Sequence, residues 1–169
     1  MPDNHPDLDA RLAAGRALAR DGQDAAAIGR FRGIVADHPD DPRAHFELAG
    51  AFDSQGYAEE AVGPYRRAMA LGLAGDDVPR WYVQFGSTLR NVGETDEAVR
   101  ILTEGRARFP DDAAIQIFQA LALHSAGRDR TALVALLDLV VSAADVPLDL
   151  RQYRRAITAY TDDLRREPS

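Results

Sequence analysis

The stretch from Arg43 to Ala70, RAHFELAGAFDSQGYAEEAVGPYRRAMA, decides the fold of this chain. Before Gly56, Ala44, Leu48 and Phe52 recur at steps of four, with Ala49 beside them. After Gly56, Ala61, Tyr65, Ala68 and Met69 recur at steps of three and four. At 3.6 residues per turn each set falls on one face of a helix. A glycine between two such segments marks a tight turn, so the stretch reads as helix, turn, helix.

The same design recurs along the chain. Gly22, Gly56, Gly93 and Gly127 lie 34, 37 and 34 residues apart, and each is followed five residues later by Ala27, Ala61, Ala98 or Ala132. Around Gly93, Tyr82, Phe85, Gly86 and Leu89 precede the glycine and Ala98 and Leu102 follow it. Units end in runs that cannot continue a helix, His38-Pro39-Asp40-Asp41-Pro42 and Phe109-Pro110-Asp111-Asp112. The aspartate pairs there, and Asp76-Asp77, suit helix starts, where carboxylates accept from free N–H groups and oppose the dipole. A period of this length with this punctuation is the mark of a helical solenoid.

The arrangement resembles the tetratricopeptide repeat. Leu48, Ala49, Phe52, Gly56, Ala61, Tyr65 and Ala68 carry the likeness in the second unit, and Tyr82, Phe85, Gly86, Leu89, Gly93, Ala98, Leu102, Gly105 and Pro110 carry it in the third. The first unit keeps Gly15, Leu18, Gly22, Ala27, Phe31 and Pro39; the fourth keeps Ala120, Leu123, Gly127 and Ala132 and then departs at Asp138. Terminal units of a solenoid are expected to be atypical. The resemblance implies an all-α fold: a right-handed superhelix of about four hairpins, 8–41, 42–77, 78–111 and 112–146, closed by a capping helix over 147–166, in a single domain. A narrower likeness, centred on Gly86-Ser87-Thr88-Leu89-Arg90-Asn91, is to small bacterial four-repeat proteins and implies a homodimer without enzymatic activity.

Two local features bear on the ends and the middle. From Pro147 to Arg166, Leu150, Tyr153, Ile157, Tyr160 and Leu164 form an amphipathic stripe. Its expected task is to cover the run Leu133 to Val141, which is apolar nearly all round; a second subunit is the other way to cover it. Pro64 lies inside a helical pattern, where it deletes one backbone hydrogen bond and is expected to kink the helix.

Composition excludes several function classes. The 169 residues hold no cysteine, so disulfides, thiolate metal sites and cysteine nucleophiles are absent. All 20 basic residues are arginine, against 27 acidic ones, for a net charge of −7. That balance argues against general nucleic-acid or anionic-membrane binding, which needs a basic footprint. No apolar run approaches the length that crosses a membrane, and residues 1–9 carry no leader-like apolar segment, so the expected setting is the cytoplasm.

The search for catalysis returns no nucleophile elbow, phosphate loop, dinucleotide fingerprint or metalloprotease helix, and no pair of histidines at metal spacing. No catalytic residue, cofactor or metal is therefore expected. The repeat resemblance instead implies a concave groove lined by the first helix of each hairpin. Carried over unit by unit, its register selects Asp9, Leu12, Arg16 and Arg20; then Arg43, Phe46, Glu47, Gly50 and Asp53. The third hairpin supplies Arg80, Val83, Gln84, Ser87, Arg90 and Asn91, and the fourth Ile117, Phe118, Leu121 and His124. Five arginines against three acids make this face positive in an acidic chain. A row of Arg43, Arg80 and Arg90 is expected to pair with carboxylates, with Phe46, Val83 and Phe118 gripping apolar side chains between them. The reading is an interaction module for a protein or acidic peptide segment, with Trp81 packed between units. Its rivals are an enzyme with an unrecognised groove site and an RNA-binding helical repeat.

Overall fold

Four glycines end four helices in the same way. Gly22, Gly56, Gly93 and Gly127 take φ of 72°, 77°, 86° and 72°, a left-handed backbone that only glycine adopts without strain. In each case the next residue's N–H reaches back to a carbonyl five residues earlier: Gln23 to Leu18, Tyr57 to Phe52, Glu94 to Leu89 and Arg128 to Leu123, at 2.8–3.0 Å. This closure satisfies carbonyls that a helix end leaves free and turns the chain back on itself.

The computed structural model describes residues 6–142 and 153–166. Among the described residues there are nine helices and no strand: α1 (Pro6–Arg20), α2 (Asp24–Asp37), α3 (Pro42–Ser54), α4 (Ala58–Ala70), α5 (Asp77–Asn91), α6 (Thr95–Arg108), α7 (Ala113–Ser125), α8 (Asp129–Ser142) and α9 (Arg154–Arg166). Helices α1 to α8 pair as four hairpins, and α9 packs on α8. The architecture is an all-α repeat solenoid with a C-terminal helix.

Small residues set how closely the two helices of a hairpin approach. Seven residues before each turn glycine stand Gly15, Ala49, Gly86 and Ala120, all buried. A Cβ on Gly15 would lie 2.5 Å from the Phe31 ring, and one on Gly86 would lie 2.5 Å from Leu102 Cγ. The large side chain of the second helix thus sits directly on the backbone of the first. Successive hairpins are joined by aromatic packing: Tyr65 lies 6.1 Å from Phe46 and 5.7 Å from Phe85, ring to ring. Trp81 is buried between units, as expected, and its Nε1 donates to the Tyr65 carbonyl at 2.8 Å.

Expected caps form at two of three aspartate pairs. Asp41 accepts from the N–H groups of Arg43 and Ala44, and Asp112 accepts from that of Ile115. At the third pair Asp76 makes no capping bond, and Asp77 instead accepts from Arg80. Pro64 does not interrupt its helix: α4 runs unbroken from Ala58 to Ala70. Buried Ala61 on one side of the proline and buried Tyr65 and Ala68 on the other anchor both halves to the same core.

The C-terminal helix covers less than its sequence stripe suggests. Within α9, Thr161 is buried and Ile157 and Leu164 are half-buried, whereas Tyr160, and Tyr153 just before the helix, stand 68% and 57% exposed. The inward face is thus rotated from the Tyr153, Ile157, Tyr160, Leu164 stripe toward Thr161, and Arg165 pairs with Asp138 of α8. One side of α8 stays open, with Leu133, Leu136 and Val140 exposed. Pro147 to Gln152, including Leu150, lie outside the described residues.

Candidate functional site: the inner groove

The first helices of successive hairpins touch one another, α1 with α3, α3 with α5 and α5 with α7, while among the described residues no second helix packs comparably on another. They form a continuous inner layer, and a groove runs across it. Two hollows lie in that groove. The larger, about 330 Å³, is lined by Arg16 and Arg20 of α1, Phe46, Glu47 and Gly50 of α3, and Arg80 and Gln84 of α5, with Phe31 behind. The smaller, about 200 Å³, lies between Pro79, Arg80, Val83 and Gln84 of α5 and Asp112 and Ala114 at the start of α7.

Glu47 is the buried charge of the larger hollow. Burial pushes its carboxyl above the usual glutamate range, against the opposing pull of Arg16 and Arg80. Arg16 lies 3.3 Å from it, and Arg80 sits over the Phe46 ring at 5.2 Å while pairing with Asp77 at 2.7 Å. Asp53 is raised as well, by burial, with the Thr88 hydroxyl partly offsetting the shift. Gly50 leaves the floor without a side chain, beside the hydrogen bond that the Tyr65 hydroxyl donates to Gln84 Oε1 at 3.3 Å. The hollow thus presents three guanidinium groups around one shielded carboxylate, on an apolar wall. Among the described residues no group of three metal-ligating side chains converges.

Against known families, a model described as "Tetratrico peptide repeat" matches residues 42–164, and a second, "Tetratricopeptide repeat", matches residues 8–51. The chain belongs to the tetratricopeptide repeat family. A search of the curated proteins finds no match. Among solved structures, MamA from Desulfovibrio magneticus RS-1 is similar at 16% identity, covering 94% of this chain and 95% of that one with a TM-score of 0.68. A thermophilic TPR protein of Thermus thermophilus aligns at 21% identity over 93% and 84% with a TM-score of 0.65. PilF of Pseudomonas aeruginosa aligns at 20% identity over 93% and 74% with a TM-score of 0.64. At these identities the likeness is one of fold.

Within this tetratricopeptide repeat groove, the arginine row expected from sequence is not open. Arg43 pairs with Asp9 at 2.6 Å and with Asp41 at 3.0 Å, so the capping aspartate of its own helix and an acid of α1 already occupy it. Asp41 itself is held below the usual range, since hydrogen bonds from Arg43 and Ala44 outweigh its burial. Arg90 donates to Asn91 Oδ1 at the exposed end of α5, with its Nε buried away from any hydrogen-bond partner. Phe46 is mostly a core residue, 2% exposed and packed on Tyr65, although it lines the larger hollow, and Leu12 is fully buried. His124 turns to the α7–α8 connection, where Nδ1 meets Asp129 at 2.5 Å.

Of the other expected residues, Val83 and Gln84 line the smaller hollow, Ser87 is half-buried one turn along α5, and Phe118 is half-buried against the core. Ile117 and Leu121 stand 41% and 38% exposed on α7. Sequence reasoning missed the arginines' partners Asp41 and Asp77, although both sit two or three residues from them. The sequence marks Phe31 as a packing position of its repeat and not as part of the groove, which it lines from behind Gly50.

The Glu47 environment makes a pH prediction. With the folded pKa raised above its unfolded value, ionised Glu47 weakens the fold, and that penalty vanishes as pH falls through the folded pKa. Glu47→Gln therefore gains stability relative to the parent as pH rises through the glutamate range, read by thermal melts at acid and neutral pH. Loss of stability confined to neutral pH would show instead that the Arg16 pair outweighs desolvation.

Proposed function

We propose that this tetratricopeptide repeat protein is a non-catalytic interaction module, its four hairpins and α9 acting as one domain. Its larger inner hollow holds a partner segment bearing a carboxylate beside an apolar side chain. The observation that carries this reading is the composition of the hollow, Arg16, Arg20 and Arg80 in its lining against Glu47, with Asp77 on Arg80 from outside it, next to the Phe31 and Phe46 rings and the open floor at Gly50. Guanidinium forks suit carboxylates, and both charged partners gain strength where apolar walls exclude water. Arg20 is exposed and makes no ion pair with a described residue, so it is ready for an incoming charge. Gln84 and Val83 extend the track toward the smaller hollow, where Asp112 sets a preference for a polar or basic group.

Panning a displayed random twelve-residue peptide library against the purified protein tests the reading. Enrichment of sequences in which an acidic residue stands within one or two positions of Leu, Ile or Phe is expected, and it disappears with the Arg16→Ala, Arg20→Ala, Arg80→Ala triple variant. Enrichment of basic or purely apolar peptides, or the same peptides from the triple variant, would contradict it.

A further inference from the structure

The open side of α8 carries positions that every earlier hairpin buries, between its own first helix and the hairpin that follows. Six, nine and thirteen residues after each turn glycine stand three positions of the second helix. In the first hairpin they are Ile28, Phe31 and Val35, in the second Val62, Tyr65 and Met69, and in the third Val99, Leu102 and Arg106, all buried or half-buried. In the fourth they are Leu133, Leu136 and Val140, which are 46%, 39% and 40% exposed. The sequence has kept an apolar stacking face there, and α9 docks beside it, through Asp138 and Arg165, without closing it.

Beyond its own hairpin, what lies against this face in the earlier units is the first helix of the following one, since α3 packs on α2, α5 on α4 and α7 on α6. The covering positions lie twelve, eight and five residues before the turn glycine. On α3 they are Ala44, Leu48 and Ala51; on α5, Trp81, Phe85 and Thr88; on α7, Ile115, Gln119 and Ala122, and all nine are buried. The contacts run directly between the two sets, as when Phe85 meets the Tyr65 ring and Gln119 accepts from Arg106. On α1 the same positions hold Ala10, Ala14 and Ala17, which no described hairpin covers; Ala10 is exposed and the other two half-exposed. One end of the solenoid thus offers three large apolar side chains, and the other offers three small ones at the matching register.

We propose that the open α8 face is a docking surface for α1 of a second copy of this chain, stacking copies head to tail as a continuation of the hairpin series. Leu133, Leu136 and Val140 of one copy then fill the shallow track left by Ala10, Ala14 and Ala17 of the next, as large residues meet small ones inside each hairpin. The contact is heterologous, so each copy keeps one end free and the assembly grows beyond two. A symmetric dimer, the assembly expected from sequence, sets leucines against leucines and leaves the α1 track unused. The surface is separate from the inner groove, and either reading can fail alone.

Light scattering after size exclusion, with two end-blocked variants, tests the proposal. The parent is expected to rise above twice the 18.4 kDa chain mass as concentration increases. Leu136→Glu blocks one end and Ala14→Glu the other, so each variant alone stays at the single-chain mass. An equal mixture of the two forms a complex of two chains and no larger, because only one compatible pair of ends remains. Val140→Glu and Ala10→Glu replace either variant whose circular dichroism shows lost helix. A parent that stays at the chain mass at every concentration overturns the proposal. So does an Ala14→Glu protein that associates like the parent while Leu136→Glu does not, which is the mark of a symmetric α8 contact, and so does a mixture that remains monomeric.

Discussion

Replacing Tyr65 by alanine lowers the melting temperature by about 6–20 °C, from a loss of about 3–5 kcal/mol at about 2–4 °C per kcal/mol for a chain of this size. The residue is fully buried on α4, and its ring joins two hairpins through Phe46 on one side and Phe85 on the other. Its backbone carbonyl accepts from Trp81, so a shift of α4 into the cavity also loosens the indole. Collapse is hindered because both neighbouring helices are held by further contacts, and a solenoid has no distant core to compensate. Tyr65→Phe keeps the ring and removes only the hydroxyl's 3.3 Å bond to Gln84, at about 0.5–1.5 kcal/mol. A calorimetric melt of the alanine variant within about 2 °C of the parent would refute this account of how the hairpins are joined.

The largest effect on binding is expected at the hollow's arginines. Removing a charge paired at a desolvated centre costs about 2–5 kcal/mol, and about 1.4 kcal/mol is tenfold. For a peptide selected as above, the Arg16, Arg20, Arg80 triple alanine variant is expected to lose at least about a hundredfold in affinity by fluorescence anisotropy. Arg43→Ala and Arg90→Ala serve as the contrast. Arg43 is already held by Asp9 and Asp41, and Arg90 by Asn91, so each changes affinity by less than about fivefold, the range of a solvated rim charge. Equal losses from both sets would mean that the whole inner face binds and that the local pairing seen around Arg43 and Arg90 has no consequence.

The fold was legible because it rests on short-range signals that repeat. Gly22, Gly56, Gly93 and Gly127 announce left-handed turns, Gly15 and Gly86 announce close helix approach, and proline with aspartate marks where helices stop and start. The groove was legible only in part. Register identified which helix positions face inward, and so found Arg16, Glu47, Arg80 and Gln84. It could not show that Phe46 is drawn into the core by Tyr65, nor that Asp9 of α1 reaches Arg43 of α3, because such contacts depend on distances between elements; the pairs of Asp41 with Arg43 and Asp77 with Arg80 are local and were within reach of the sequence. The C-terminal stripe misled for a related reason. Periodicity reports that a helix has an apolar face, and docking on α8 chose Ile157, Thr161 and Leu164 over the tyrosines.

Hydrogen exchange of the backbone amides, with and without the selected peptide, tests the central claim most directly. If a partner segment lies in the inner groove, the peptide slows exchange in α1, α3 and α5 around Arg16, Glu47 and Gln84 and leaves the outer helices α2, α4 and α6 unchanged. Protection confined to the outer helices or to α8 and α9, with α1, α3 and α5 exchanging as in the free protein, would contradict it.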